Sequence, residues 1–227
     1  MTIPRTAPWP SILPRAVIFD MDGLLLDTER LYSRAIFTTC EALGYAMTDP
    51  VHRSLVGGPW EANMARLTEA FGPAFPVLDY RSQCERRYRE LCADGIPLRP
   101  GVRELIGFLH DRAIPMAVAT STQRDLALHH LEETGLIERL AAVVTRTDVT
   151  HGKPHPESYL TAARHLATDP DHCLALEDSH TGARAAIAAG MDTILVPDML
   201  PATPEIAAQC AFVARDLHEV HAMLKAL

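Results

Sequence analysis

The chain has little lysine and no apolar run long enough to cross a membrane. Its 21 basic residues are 19 arginines and two lysines, Lys153 and Lys225, and its 29 acidic residues bring the formal charge to −8. An acidic protein lacks the basic face with which a sequence-independent nucleic-acid binder displaces counterions. A transmembrane helix needs about 18 or more consecutive apolar residues. We therefore expect neither a nucleic-acid partner nor a membrane partner.

Cysteines are odd in number and are never paired as CxxC, which predicts free thiols in a reducing cytoplasm. The first 15 residues hold four prolines and no apolar stretch, so they predict a loose N-terminal arm and not a signal peptide. We expect a cytoplasmic protein. The five cysteines are Cys40, Cys84, Cys92, Cys173 and Cys210.

Short apolar runs recur along the chain and are typical of strands that are buried on both faces of a parallel sheet. Helical patterns lie between them, for example over residues 102–109 and 181–189. Strands that alternate with helices predict an α/β fold with a doubly wound parallel sheet. The apolar runs are residues 16–19, 116–119, 141–144, 173–176, 193–196 and 211–214.

Residues 29–98 interrupt this alternation, because they show helical patterns with little sign of strands. The chain returns from this segment through two prolines and a glycine at residues 96–101, which suit a hinge. We predict that residues 1–28 form the first part of the core, with the N-terminal arm and the first strand. An inserted all-helical cap would span residues 29–98, and residues 99–227 would complete the core.

Two carboxylates, Asp20 and Asp22, directly follow the first predicted strand, and Gly23 permits a sharp turn after them. Ligands of open α/β sheets bind at this carboxyl edge, and residues two apart in extended chain point the same way. Ordinary turn chemistry is an alternative explanation. A calcium loop of the EF-hand type is not expected, since Leu25 and Leu31 stand where its glycine and glutamate are required.

Residues 20–28, DMDGLLLDT, resemble the DxDGxLxD[ST] signature of the haloacid dehalogenase superfamily. Three further segments resemble its other motifs, in the same order: VATS at 118–121, GKPHPE at 152–157 and LEDS at 176–179. The resemblance covers residues 16–197. It includes the position of the cap and points to the helical-cap subfamily that contains phosphoglycolate phosphatase, sugar phosphatases and β-phosphoglucomutase.

The resemblance implies phosphoryl transfer through an aspartyl-phosphate. Asp20 is then the nucleophile, and Asp22 is the general acid that protonates the leaving oxygen and later the base that activates water. The resemblance also implies that the phosphate group is bound by Thr120, Ser121 and Lys153. The lysine stands out in a chain that otherwise favours arginine, and its compact ammonium suits a close contact with two anions.

A carboxylate that attacks a phosphate dianion meets repulsion, so positive charge must be supplied at the site. Mg²⁺ is the expected source, because it takes carboxylate and water ligands. The resemblance implies that the metal binds Asp20, the backbone carbonyl of Asp22 and Asp178, with Glu177 close by. Without the other motifs, Glu177 and Asp178 would be ordinary carboxylates at the end of a strand.

Structural roles compete with several of these assignments. Thr120 is also predicted to cap the helix that follows it, and Asp178 or Ser179 to cap the next. His151 and His155 have helical i, i+4 spacing, but the prolines between and after them exclude a regular helix. We therefore expect no zinc site at these two histidines.

We expect a Mg²⁺-dependent phosphatase that acts on a small phosphorylated metabolite, such as a sugar phosphate or phosphoglycolate. Asp22 argues against dehalogenation, because a departing halide needs no proton. A β-phosphoglucomutase-like phosphosugar mutase is the main alternative. A non-catalytic phosphometabolite-binding regulator is a weaker one, since the catalytic positions are all present. The oligomeric state is not predicted.

Overall fold

The computed structural model describes residues 12–58 and 60–227, so most of the predicted N-terminal arm lies outside the described residues. The chain divides into two compact units. One unit combines the chain up to Leu26 with Leu98–Leu227, and the other is Asp27–Pro97. We call them the sheet unit and the helical unit.

The described part of the sheet unit contains six parallel strands in the order β3-β2-β1-β4-β5-β6. They lie where the apolar runs predict them, with ends displaced by no more than one residue. The doubly wound α/β fold is therefore confirmed. The strands are β1 Ala16–Phe19, β2 Met116–Ala119, β3 Ala142–Val144, β4 Cys173–Glu177, β5 Asp192–Leu195 and β6 Phe212–Val213.

Helices α6 to α9 of the sheet unit connect successive strands of the parallel sheet, whereas α5 precedes β2 and α10 follows β6. Every residue of β1 is completely buried, which explains why this strand is continuously apolar instead of alternating. The helices are α5 Val102–Asp111, α6 Arg124–Glu133, α7 Glu157–His165, α8 His180–Ala188, α9 Pro204–Ala207 and α10 Leu217–Lys225.

The helical unit has its own apolar core, in which α1 and α4 lie side by side. Buried members of this core include Ile36, Leu67, Phe75 and Tyr80. Trp60 packs against it with partial exposure, which favours a packing role for this side chain. The helices of this unit are α1 Thr28–Ala42, α2 Asp49–Leu55, α3 Trp60–Phe71 and α4 Val77–Ala93.

The chain enters and leaves the helical unit through two adjacent segments. Leu26 and Leu98 form an isolated antiparallel bridge, and the Asp27 amide donates to the Pro97 carbonyl at 2.8 Å. Within the described residues, no helix is both long enough and apolar enough to cross a membrane.

Candidate active site

The side chains of the candidate site come from the carboxyl ends of neighbouring strands. Asp20 follows β1, and its amide donates to the Leu176 carbonyl of β4 at 2.9 Å. Thr120 follows β2, and Glu177 is the last residue of β4. Because parallel strands end at one edge of the sheet, residues more than 150 positions apart in sequence become neighbours.

A tight turn after β1 positions the two aspartates. Gly23 has a φ of 86°, a left-handed conformation that a residue with a Cβ adopts at a cost. Its amide donates to the Leu26 carbonyl at 2.8 Å, and the amides of Leu25 and Leu26 both donate to the Met21 carbonyl at 3.0 Å. These backbone groups of the turn thus find their hydrogen-bond partners within the turn itself.

Lys153 joins the two carboxylates at the ends of β1 and β4. Its Nζ lies 2.6 Å from Asp20 Oδ1 and 2.5 Å from Glu177 Oε1, and its side chain is 6% exposed. Burial alone would lower the pKa of Lys153, but the Asp20 and Glu177 carboxylates outweigh it and raise that pKa. The ammonium group therefore remains charged at neutral pH.

Asp20 lies in surroundings that oppose its ionisation. Burial raises its pKa, while Lys153 acts in the opposite direction and the neighbouring Glu177 and Asp22 carboxylates raise it further. Four carboxylates, Asp20, Asp22, Glu177 and Asp178, which we call the carboxylate cluster, face a single lysine, which contacts Asp20 and Glu177. Further positive charge at this point would favour the ionised form of Asp20.

Glu177 is completely buried and has hydrogen bonds to both of its oxygens. Oε1 accepts from Lys153 and from the Tyr159 hydroxyl at 2.7 Å, and Oε2 accepts from the Ser179 hydroxyl at 3.0 Å. Burial and the adjacent Glu177 raise the pKa of Tyr159, so its hydroxyl stays protonated. Gly182 leaves room for the carboxylate, since a Cβ there would collide with it.

The carboxylate of Asp22 is held by two threonines that follow β2. Its Oδ2 accepts from the Thr122 hydroxyl at 2.7 Å and from the Thr120 hydroxyl at 3.2 Å. Thr120 Oγ1 also accepts from the Thr122 amide at 3.0 Å. The prediction that Thr120 caps the next helix is wrong, because α6 begins at Arg124 with Gln123 in the capping position.

Most of the residues predicted for the site take part in two sets of contacts. Lys153 contacts Asp20 and Glu177, and Thr120 donates to Asp22, the second residue after Asp20. Ser121 follows Thr120 and is exposed. Sequence patterns missed Tyr159 and Thr122. In the sequence Tyr159 is one of several apolar residues after Pro156 at helical spacing, and its position six residues after Lys153 is the available signal.

Three of the predicted metal ligands could hold a cation together. Asp20, Glu177 and Asp178 each offer an oxygen, and these oxygens lie within 4.8 Å of one another. Such a set fits Mg²⁺, which prefers carboxylate oxygens and water. The excess of carboxylates over ammonium groups also fits a divalent cation. The side chain of Asp22 accepts hydrogen bonds from both threonines, and the metal role that the resemblance implies for Asp22 belongs to its backbone carbonyl.

Comparison with known proteins shows the family to which this chain belongs. Residues 17–196 match the family model described as haloacid dehalogenase-like hydrolase, and the chain belongs to that family. It is 34% identical over 179 residues to the phosphorylated carbohydrates phosphatase of Thermotoga maritima, covering 79% of this chain and 83% of the relative. It is 32% identical over 214 residues to hexitol phosphatase B of Escherichia coli, covering 89% and 90%.

A solved structure agrees over nearly the whole chain. The crystal structure of a candidate β-phosphoglucomutase from Thermotoga maritima superposes with a TM-score of 0.80 at 31% identity, covering 93% of this chain and 99% of the other. The expected superfamily is confirmed. Together with the named phosphatases among its relatives, membership assigns the chain to the phosphoric monoester hydrolases of this family.

Proposed function

We propose that this chain is a Mg²⁺-dependent phosphatase that hydrolyses a small phosphomonoester through an aspartyl-phosphate on Asp20. The contact of one buried ammonium with both Asp20 and Glu177 carries the proposal. A lysine at this point offsets the charge of the nucleophile and of an incoming phosphate.

Two displacement steps at phosphorus make up the proposed reaction. In the first, an Asp20 oxygen bonds to phosphorus while the bond to the leaving oxygen breaks, and that oxygen takes a proton from Asp22. In the second, water bonds to phosphorus as Asp22 accepts its proton, and the bond to Asp20 breaks to release phosphate. General acid–base catalysis of this kind typically contributes about 10²–10⁴-fold.

The threonine contacts support the role of Asp22. The hydroxyls of Thr120 and Thr122 both reach one of its oxygens, so the carboxyl group is oriented before substrate arrives. Thr120, Ser121 and Lys153 are the proposed phosphate ligands. A fixed general acid needs little reorganisation at the moment of reaction, which is the source of its advantage over one in water.

Asp20, Asp178 and the backbone carbonyl of Asp22 are the proposed metal ligands, with Glu177 adjoining them. Bound Mg²⁺ would supply positive charge that offsets repulsion between the carboxylates and the phosphate. Both oxygens of Glu177 already accept hydrogen bonds, so we assign to it the holding of Lys153 as well as a place beside the metal.

Substrate class is proposed from the relatives. Their names specify phosphorylated carbohydrates and hexitol phosphates, which supports a sugar phosphate or a similarly small monoester for this chain. We retain residues 29–98 as the proposed cap that selects the substrate, and the cytoplasm as the proposed location.

The first experiment is a phosphate-release panel of sugar phosphates, phosphoglycolate and p-nitrophenyl phosphate, run with Mg²⁺ and with EDTA. Release should require Mg²⁺ and disappear in Asp20→Asn, because an amide cannot act as the nucleophile. Asp125→Asn, at an exposed position in the first turn of α6, is the matched control and should keep the wild-type rate. Near-normal turnover by Asp20→Asn would refute the nucleophile assignment.

The structural likeness to a candidate β-phosphoglucomutase makes a phosphosugar mutase the second function to test. Incubation with β-glucose 1-phosphate separates the two. A phosphatase releases inorganic phosphate from it, whereas a mutase converts it to glucose 6-phosphate. Conversion without release from any monoester would select the mutase and overturn the proposed phosphatase.

A further inference from the structure

We propose a second cation site, formed by His151, His155 and Glu157 at the surface of the sheet unit, that takes Zn²⁺ or a similar borderline divalent ion. Each of the three side chains offers one ligand atom, and these atoms lie within 4.8 Å of one another. The two imidazole rings are tilted by 35° against each other, with their centroids 4.6 Å apart. The proposal does not depend on the proposed catalytic function.

Distances within the group suit a tetrahedral ion after small movements. Two ligands at about 2.0–2.2 Å from tetrahedral zinc are about 3.3–3.6 Å from each other. Glu157 Oε2 lies 3.0 Å from His151 Nδ1 and 3.9 Å from His155 Nδ1, on either side of that value. Both histidine side chains are more than half exposed, which leaves their rings room to adjust. His155 Nδ1 accepts the Glu157 amide at 3.3 Å and exchanges this bond for the ion.

Two backbone hydrogen bonds orient Glu157 before any ion binds. Its Oε1 accepts the Thr150 amide at 2.8 Å, and its Oε2 accepts the His151 amide at 2.9 Å. A carboxylate that needs little reorientation binds a cation at a lower cost.

The donor set also predicts which ion binds. Two imidazole nitrogens and one carboxylate oxygen form the set that zinc takes where a fourth position is open to solvent. Mg²⁺ prefers an all-oxygen set, so it should fill the carboxylate cluster and leave this site available. The two sites therefore differ in chemistry as well as in position.

A turn brings the two histidines together, although the sequence argued against a zinc site here. The prolines do exclude a helix, but the His155 amide donates to the Gly152 carbonyl at 3.1 Å and closes the chain into a turn. Lys153 stands within that turn, so an ion at the proposed site would tie together the chain on both sides of this lysine.

Zinc binding to the full chain tests the site directly. The EDTA-treated and dialysed protein is titrated with Zn²⁺ by calorimetry, with millimolar Mg²⁺ present throughout to occupy the carboxylate cluster. We expect one Zn²⁺ per chain. Loss of an outer-shell partner alone typically costs about 10- to 100-fold in metal affinity, so His151→Ala and His155→Ala should each weaken binding by at least about tenfold.

His165→Ala is the matched control, because this exposed histidine on α7 belongs to none of the described groups of potential ligands. It should leave the affinity unchanged. As a second readout, Zn²⁺ should raise the thermal unfolding midpoint of wild type and of His165→Ala but not that of His151→Ala.

Three results would overturn the proposal. Equal affinity for Zn²⁺ in the wild type and in both histidine variants would show that neither histidine is a ligand. Loss of binding in His172→Ala would place the ion at the other exposed group, Asp169, Asp171 and His172. Displacement of Zn²⁺ by added Mg²⁺ would place it in the carboxylate cluster.

Discussion

The ammonium of Lys153 lies within hydrogen-bond distance of Asp20 and Glu177, and its side chain is 6% exposed. It also lies 4.9 Å from the centre of the Tyr159 ring. A compact charge on a flexible stem fits between these groups, whereas a guanidinium is planar and presents its donors as a rigid fork. Lysine and arginine carry the same charge, so at this residue they differ in the shape of the charged group.

Replacement of this lysine by arginine should therefore abolish most of the activity while keeping the charge. For Lys153→Arg we expect phosphate release to fall by about 10²-fold, comparable to the loss of one transition-state donor. Lys225→Arg is the matched control, since Lys225 is exposed in the last turn of α10 and is the other lysine of the chain. Steady-state rates on p-nitrophenyl phosphate compare the two, and equal rates would contradict the shape argument.

At the scale of secondary structure, the start of α8 connects helix geometry to the site. Ser179 caps this helix by accepting the Gly182 amide at 3.0 Å, and the same hydroxyl donates to Glu177. Gly182, in the first turn, lies so close to the Glu177 carboxylate that an added Cβ would overlap it. The first turn of α8 is thus packed against the residue that holds Lys153.

Two Gly→Ala substitutions in helices should have opposite effects for this reason. Gly182→Ala should lower the free energy of unfolding by about 1–3 kcal/mol through overpacking, and should reduce phosphate release because Glu177 must move. Gly107→Ala, in the interior of α5 with nothing within 4 Å of the added Cβ, should raise it by about 0.5–1 kcal/mol through helix propensity.

Urea unfolding and phosphate-release assays on both variants measure these effects. Equal changes in the free energy of unfolding for the two variants would mean that helix propensity alone causes them. The contact with Glu177 would then contribute nothing. If Gly182→Ala lowered the free energy of unfolding but kept the wild-type rate of phosphate release, Glu177 would be able to move without loss of activity.

At the scale of the whole molecule, the five cysteines differ in how far their thiols are exposed. Cys40, Cys84, Cys92 and Cys173 are buried as free thiols, and Cys210 is partly exposed. Burial raises the pKa of Cys210 to about 11, so only a small fraction is thiolate at neutral pH. The native fold should therefore protect all five from thiol reagents.

Labelling with a chromogenic disulfide reagent tests this protection. At pH 7.5 we expect fewer than one thiol per native chain to react within minutes, and five to react in guanidinium chloride. Labelling of Cys210 should accelerate as the pH rises towards its pKa, because the thiolate is the reactive form. Fewer than five thiols in the denatured chain would contradict the assignment of free cysteines, and rapid native labelling would contradict their burial.

Local patterns predicted the positions of the strands, because apolar runs and turn residues act over a few neighbouring positions. They did not predict the N-cap of α6, which begins at Arg124 rather than directly after Thr120. The carboxylate pair was predictable for a similar reason, since Asp20 and Asp22 are adjacent to one strand. The boundaries of the cap and the roles of the site residues stay predictions.

The sequence by itself determined the α/β fold class, the order of the motifs and the family, since each depends on residue type and short-range spacing. Only the tertiary structure decided that Tyr159 and Ser179 satisfy Glu177, and that Thr122 reaches Asp22 across 100 positions. It also decided that His151 and His155, whose spacing is that of a helix, are brought together by a turn instead. The physical reason is that hydrogen bonds and ligand sets need atoms within about 3–4 Å, and chain folding sets that proximity for residues far apart in sequence.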